Sequence, residues 1–327
     1  MKKILSILLI GGIVVQTFAK TDVKVGGILE AGIDIDNKAH KDETEYKKIG
    51  FGKIDISVYP AKKVRAEFGF EYDREKDSLT IDKLYGQYNF SDFGTIRVGY
   101  TKKAFGLEEK AGLDERYFHK RSIVRSGLKD LIFLGHDLTF QYRHRLDKNW
   151  RLIGGFSLTE DNDRYLQNYS IEYGTKNTDI ILATIIRHYT PPEKSITTFV
   201  SSLSAKHAAK LFVAETELTF GLNPKIKSWE DRDAYICGFR MQEYFPINVK
   251  TKTLRQIIPI AEAVFYSEDL ESEIFDVQLR TGLTLGFAKN SAFQWRNTYG
   301  TIQRINLKDS ERELRRRRFD SEAVVIF

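Results

Sequence analysis

Residues 64–73 read VRAEFGFEYD: Val64, Ala66, Phe68, Phe70 and Tyr72 fall on one face, and Arg65, Glu67, Glu71 and Asp73 on the other. Successive side chains of a strand point to opposite sides, so a period of two with one apolar and one charged face describes a strand lying between two unlike surroundings. The pattern recurs outward in both directions. Val23, Val25, Leu29, Ala31, Ile33 and Ile35 interleave with Lys24, Glu30 and Asp34, and Phe275, Val277, Leu279, Leu283, Leu285 and Phe287 interleave with Asp276, Gln278, Arg280 and Thr284. Less regular runs fill the spaces between, near 46–59, 79–90, 131–145, 150–159, 165–173, 178–189, 195–205, 209–221, 233–245, 254–267, 292–302 and 316–327. With a strand opening at Gly94 the tally is about sixteen, an even number as bacterial barrels require; boundaries soft by about 2–4 residues leave fourteen or eighteen open.

The chain has 327 residues, 42% hydrophobic, 13% aromatic and 29% charged. So high a charge excludes a helical membrane bundle, whereas abundant Tyr and Phe suit a barrel with an apolar outside and a wet lumen. Residues 1–19 have the form of a secretory signal: Lys2 and Lys3, an apolar run from Ile4 to Val15, then Thr17-Phe18-Ala19. That run is too short to span a bilayer. The expected division is therefore a signal peptide at 1–19 and one β domain at 20–327. Removing Lys2 and Lys3 leaves 49 basic and 45 acidic residues, too mild an excess for a nucleic-acid binder. The lone Cys237 cannot form an internal disulfide, so hydrogen bonding and burial must hold an exported chain together.

Connections after even-numbered runs read as tight turns, such as Pro60-Ala61-Lys62, Ser91-Asp92-Phe93-Gly94, Asp147-Lys148-Asn149 and Ala288-Lys289-Asn290. Those after odd-numbered runs read as longer and more polar, as from Asn37 to Glu45, Thr159 to Arg164, Leu222 to Arg232 and Gln303 to Arg315. Short turns on one rim and long loops on the other predict an all-β, transmembrane antiparallel barrel with the short rim periplasmic, in a bacterial outer membrane. A soluble sandwich or β-helix would alternate too, but its turns need not alternate in length.

From Gly94 to Arg125 the chain reads GTIRVGYTKKAFGLEEKAGLDERYFHKRSIVR. Ile96, Val98 and Tyr100 oppose Arg97, Gly99, Thr101 and Lys103; alternation then breaks, and from Lys102 to Arg125 seven Lys and Arg face four acids. On the strand count this is the third external loop, and long connections in compact folds are usually functional. RVGYTKKAFGLEE followed by RYFHKRS resembles the phosphate-selective porin O and P family. Gly99, Lys102 or Lys103, Phe105, Leu107 and Glu108 match that family's first element, and Arg121-Ser122 match its second, with Lys120 where the family has Glu. The resemblance implies a sixteen-stranded, trimeric channel for phosphate or other anions, with a basic constriction loop folded inward. The anion contacts expected at the constriction are Arg97, Lys102, Lys103, Arg116, Arg121 and Arg125; Arg121 and Arg125 lie beyond the acidic group Glu108, Glu109, Asp114 and Glu115.

Wall parity places Arg65, Arg143, Arg151, Arg280 and Arg296 towards the lumen with Arg97, but also Glu67, Glu71, Asp73, Glu172 and Asp276, so a general diffusion pore and a structural or adhesive barrel are the competing readings. A barrel hydrolase would need a His beside a Ser or Asp on one face, and the six His residues are scattered, with only His119 and His188 worth following. No metal or cofactor site is expected. Outer-membrane lipid and glycolipid, small anionic solutes and further copies of the chain are the expected partners. The run Arg315 to Arg318 reads as a belt at the external interface. Phe319, Ala323, Val325 and Phe327 share one face, and a last strand ending on Phe327 resembles the assembly signal of bacterial barrels.

Overall fold

The structure, a computed structural model, describes residues 21–38, 43–74, 77–111, 118, 120–159, 164–189, 195–249, 251, 253–287 and 293–326. The expected signal at 1–19, the Ala288-Lys289-Asn290 turn, Arg116, His119 and Phe327 lie outside the described residues. Among the rest, seventeen strand segments form one antiparallel sheet: β1 (Asp22–Lys38), β2 (Glu43–Ala61), β3 (Val64–Asp73), β4 (Ser78–Asn89), β5 (Gly94–Lys102), β6 (His136–Arg145), β7 (Trp150–Leu158), β8 (Arg164–Gly174), β9 (Thr178–Tyr189), β10 (Ile196–Ala208), β11 (Val213–Leu222), β12 (Tyr235–Tyr244), β13 (Ile247–Asn248), β14 (Gln256–Ser267), β15 (Ile274–Gly286), β16 (Phe293–Asn306) and β17 (Glu311–Ile326). The two-residue β13 continues β12 along the edge of β14, so the segments make sixteen staves. The circle closes where β1 pairs with both β2 and β17, Leu29 standing opposite Gly52 on one side and Val325 on the other. Closure leaves no strand edge unpaired, which is what allows a β structure to sit in lipid.

Residues of the apolar parity point outward. Leu138, Phe140, Leu182, Leu203, Leu218, Leu279 and Trp295 are all exposed around the wall, a distribution that stabilises the barrel only in a bilayer. Aromatic pairs mark both ends of this band: Trp150 with Tyr173 (4.9 Å), Phe212 with Phe245 (6.3 Å) and Phe287 with Phe293 (5.6 Å) near one rim, and Phe156 with Tyr165 (5.5 Å), Phe220 with Tyr235 (5.5 Å) and Phe265 with Phe275 (4.6 Å) near the other. Aromatic girdles flank the apolar band of outer-membrane barrels at both interfaces, so the pairs mark the membrane boundaries. His188 belongs to this outer surface, stacked on Tyr165 at 4.5 Å.

Two expectations change. The contrast between rims rests mainly on two long connections, 103–135 and 223–234, because other external segments continue as strand: β1 runs to Lys38, β2 starts at Glu43, and between β16 and β17 only residues 307–310 form the turn. Above the membrane a strand has water on both faces and needs no apolar side; cross-strand ion pairs such as Arg304 on Asp276 (2.9 and 3.0 Å) keep the polar ends paired. For the same reason Arg315–Arg318 is not a belt ahead of the last strand but part of β17. Arg316 turns inward onto Asp36 (2.8 Å) and Arg318 onto Asp34 and Asp320, while Arg317 is left outside.

The irregular runs have a physical cause as well. On β8 to β14 the inner face is also apolar, with Leu166, Ile181, Ala183, Ile185, Val200, Ile236 and Val264 all buried. What buries them is the connection after β5. It carries two short helices, α1 (Leu107–Lys110) and α2 (Ile123–Asp130), and lays Phe105, Val124, Leu128, Leu131 and Phe133 on that patch.

Candidate functional site

The loop between β5 and β6 folds inward because its sequence is amphipathic and because the wall supplies partners for its polar atoms. Ser122 caps α2, its Oγ accepting from Arg125 N at 3.2 Å, and Val124 and Leu128, one turn apart, then face the wall. Seating is close: a Cβ at Gly127 would collide with the Tyr266 ring, and one at Gly238 would press on Val124. At the other end Glu217 of β11 accepts from Leu107 N (2.9 Å) and Glu108 N (3.2 Å). Gly106 permits that approach, having φ 52° and no side chain to strike the Glu217 carboxylate.

The two arms of the loop are latched together by Glu108. Its buried carboxylate accepts from Ser122 N (2.7 Å) and Ser122 Oγ (2.5 Å) and lies 4.0 Å from Arg240 of β12. Burial pushes this carboxyl up, but Arg240, Arg121 and the Ser122 hydrogen bonds outweigh it and hold it at about 2, below its ordinary 4.5. Arg280 of β15 completes the anchorage: it pairs with Glu262, covers the Phe118 ring at 4.3 Å and donates to Lys120 O at 2.5 Å.

With the loop against β8 to β14, the water-accessible space includes three cavities that share lining residues. The external one, about 940 Å³, lies between β1–β4 and the loop and is lined by Lys102, Lys120, Arg121, Arg125 and Lys129 opposite Glu30, Asp34, Glu71, Asp73 and Asp82. Through Asp82, Lys102 and His136 it meets a middle cavity of about 420 Å³, which passes at Lys110, Arg151 and Glu172 into a third, about 490 Å³, reaching the β6–β7 turn. The middle cavity is the most basic of the three, with eight Lys and Arg against four carboxylates. Several of those cations are spoken for: Lys53 by Asp82, Lys83 by Asp55 (3.2 Å) and Lys110 by Glu172 (2.8 Å). Arg97 and Arg143 are not. Among the described residues neither is in an ion pair; Arg97 lies over Tyr85 at 4.2 Å and bonds Gln87 (3.1 Å), and Arg143 bonds Gln141 (2.8 Å). Neutral amides hold both guanidinium groups in place without cancelling their charge.

The structure brings together Arg97, Arg143 and Arg151, expected on the inner wall, and Lys102, expected at the constriction. Arg65 also turns inward, on Glu67 and Ser57. Others it ties up. Lys103, with a side chain only 1% exposed, lines the middle cavity but is paired with Asp137. Arg121 and Arg125 are not beyond reach of the loop's acids and backbone: Arg125 Nε donates to Glu109 Oε2 (2.8 Å), and Arg121 donates to Glu108 O and to Ala111 O (2.8 Å). Arg280 and Arg296 face inward as expected but are buried, Arg296 bonding Gln294 at 2.9 and 3.1 Å. Residues of the family-like element therefore shape the loop: Gly99 has φ 139° and packs its bare Cα on Leu84 O, Phe105 is core, and Glu108 meets Ser122. Glu217 and Glu262 were not foreseen, since nothing in the local sequence of β11 or β14 marks an inward acid as a partner for a loop more than a hundred residues away.

No family model matches the chain, and no curated protein is detectably similar to it in sequence. Solved structures are similar in shape. The anion-selective porin of Comamonas acidovorans superposes with a TM-score of 0.69 at 9% identity, covering 94% of this chain and 100% of that one. The outer-membrane channel DcaP of Acinetobacter baumannii gives 0.69 at 11%, covering 94% and 98%. OmpT, an outer membrane protein of Vibrio cholerae, in its trimer form gives 0.64 at 13%, covering 94% and 99%. At such identities the likeness is one of fold: a closed antiparallel β-barrel, of sixteen staves in this chain.

Proposed function

We propose that the chain is an outer-membrane porin through which small anions diffuse passively, with Arg97 and Arg143 as the residues that set its preference. The observation that carries this reading is the middle cavity: in the most basic of three cavities that share lining residues, two guanidinium groups held by neutral amides line the space, and neither is in an ion pair among the described residues. An ion entering such a passage loses hydration, and fixed cations replace it for anions only. In the wider external cavity basic and acidic residues face each other, so fixed charge discriminates less there, and mobile ions screen it over about 8 Å. Lys102, Arg121 and Arg125 would draw anions towards the entrance, and Arg151 would pass them on.

Phosphate is the solute suggested by the loop's resemblance, and a homotrimer is suggested by that resemblance and by the trimer form of a structural neighbour. Export by the signal at 1–19 and recognition of Phe327 during assembly complete the reading. The test is the reversal potential of the reconstituted protein in a potassium chloride gradient, with and without phosphate. A shift towards the chloride potential and a saturable reduction of chloride current by phosphate are expected; a cation preference would overturn the proposal, and chloride preference without phosphate block would leave a simple anion channel.

A further inference from the structure

Beside the path, a fourth cavity of about 200 Å³ lies behind the loop against β15–β17. It shares Lys120, Arg121 and Ser126 with the external cavity and so opens to it. It shares no lining residue with the middle cavity or the third, and Arg280, held on Glu262, forms part of its wall. The recess is therefore a side pocket of the external cavity, off the conduction path. Its composition is two-sided. Phe118, Ile123 and Ile302 supply apolar surface, and Lys120, Arg121, Arg280, Arg316 and Arg318 supply cations, of which Arg318 is held by Asp34 and by the lining carboxylate Asp320. Arg316 donates an Nη to Asp36 yet keeps its side chain 35% exposed while lining the recess. Gly300, opposite Arg318 in the β16–β17 register, makes the room; a Cβ there would come within 3.0 Å of Arg280 Cγ.

The geometry points to a binding site for an amphiphilic monocarboxylate, its carboxylate on Arg316 and its hydrocarbon part against Phe118, Ile123 and Ile302. A guanidinium fork suits a carboxylate, and an apolar floor distinguishes a chain-bearing acid from phosphate or chloride, which have nothing to bury there. Because the recess shares Lys120, Arg121 and Ser126 with the external cavity, an occupant stands at the side of the entrance and reduces current without itself crossing. The site is independent of which ions the path prefers.

The test uses the full-length protein in planar bilayers, with sodium acetate, butyrate and hexanoate added on the external side during chloride conduction. Saturable reduction of current is expected, with the half-effective concentration falling about three- to fourfold per added methylene, the ratio for burying one CH₂. R316Q and G300L should each weaken the effect at least tenfold and flatten the chain-length dependence while leaving the chloride reversal potential unchanged. Heat-modifiable migration checks folding, and R316Q alone decides if G300L fails to fold. No dependence on chain length, or a dependence that survives R316Q, overturns the site and assigns the effect to the path or to lipid partitioning. Loss of chloride preference with the chain-length series intact would instead overturn the conduction reading and leave the recess standing.

Discussion

Replacing Glu108 by Ala should release the loop from the lumen wall while leaving the barrel folded. The side chain accepts two hydrogen bonds from Ser122, and all the groups involved are buried. Hydrogen bonds to a charged group contribute about 1.5–3 kcal/mol each, so the seated loop loses about 3–6 kcal/mol, or two to four decades in its opening equilibrium. Arg240 keeps Glu262 at 2.7 Å and Gln242 at 2.6 Å, so the wall retains its own network. No strand pairing passes through the loop, and heat-modifiable migration should match that of the parent. The assay is amide hydrogen exchange in detergent, read on 123–131, whose amides should exchange 10²–10⁴-fold faster while those of β8 to β14 do not change. Unchanged protection of α2, or loss of barrel stability in step with it, would refute the latch.

The same carboxyl sets a pH limit. Its folded value, about 2, lies below the ordinary 4.5, so its contribution is complete above about 4.5 and is lost as pH falls through 2; the loop should stay protected at pH 4 and loosen near pH 2, and loosening at pH 4 would contradict the assignment. Leu128→Ala should cost the loop seat about 2–5 kcal/mol, as for other buried leucines, raising current noise without shifting the heat-modification temperature. Gly106→Ala should disturb the loop through backbone strain and a collision with Glu217; a variant with wild-type exchange at 107–110 would show that the wall can yield there.

The barrel was legible because lipid enforces alternation: where one face meets hydrocarbon and the other water, as in VRAEFGFEYD, the pattern can be read residue by residue. It failed in two places with different causes. Outside the bilayer neither face must be apolar, so residues 37–38 of β1, 43–45 of β2, 303–306 of β16 and 311–315 of β17 read as polar loops although Lys38 pairs with Glu45 and Arg304 with Asp276 across strands. Under the loop both faces are apolar, so β9, with Ile180 and Leu182 outside and Ile181, Ala183 and Ile185 inside, loses its contrast. The loop itself was found by its broken pattern, but not the fate of its charges. Which of Arg97, Lys103, Arg121 and Arg125 keeps an unneutralised charge depends on Asp137, Glu109 and carbonyl oxygens brought close only by the fold.

The most direct test compares reversal potentials in a tenfold potassium chloride gradient for the parent, for Arg97→Gln with Arg143→Gln, and for Arg121→Gln with Arg125→Gln. Removing the two wall cations should abolish most of the anion preference, and removing the two loop cations, already tied to the loop's own carboxylate and carbonyls, should change it much less. A selectivity that survives the wall pair and disappears with the loop pair would contradict the account.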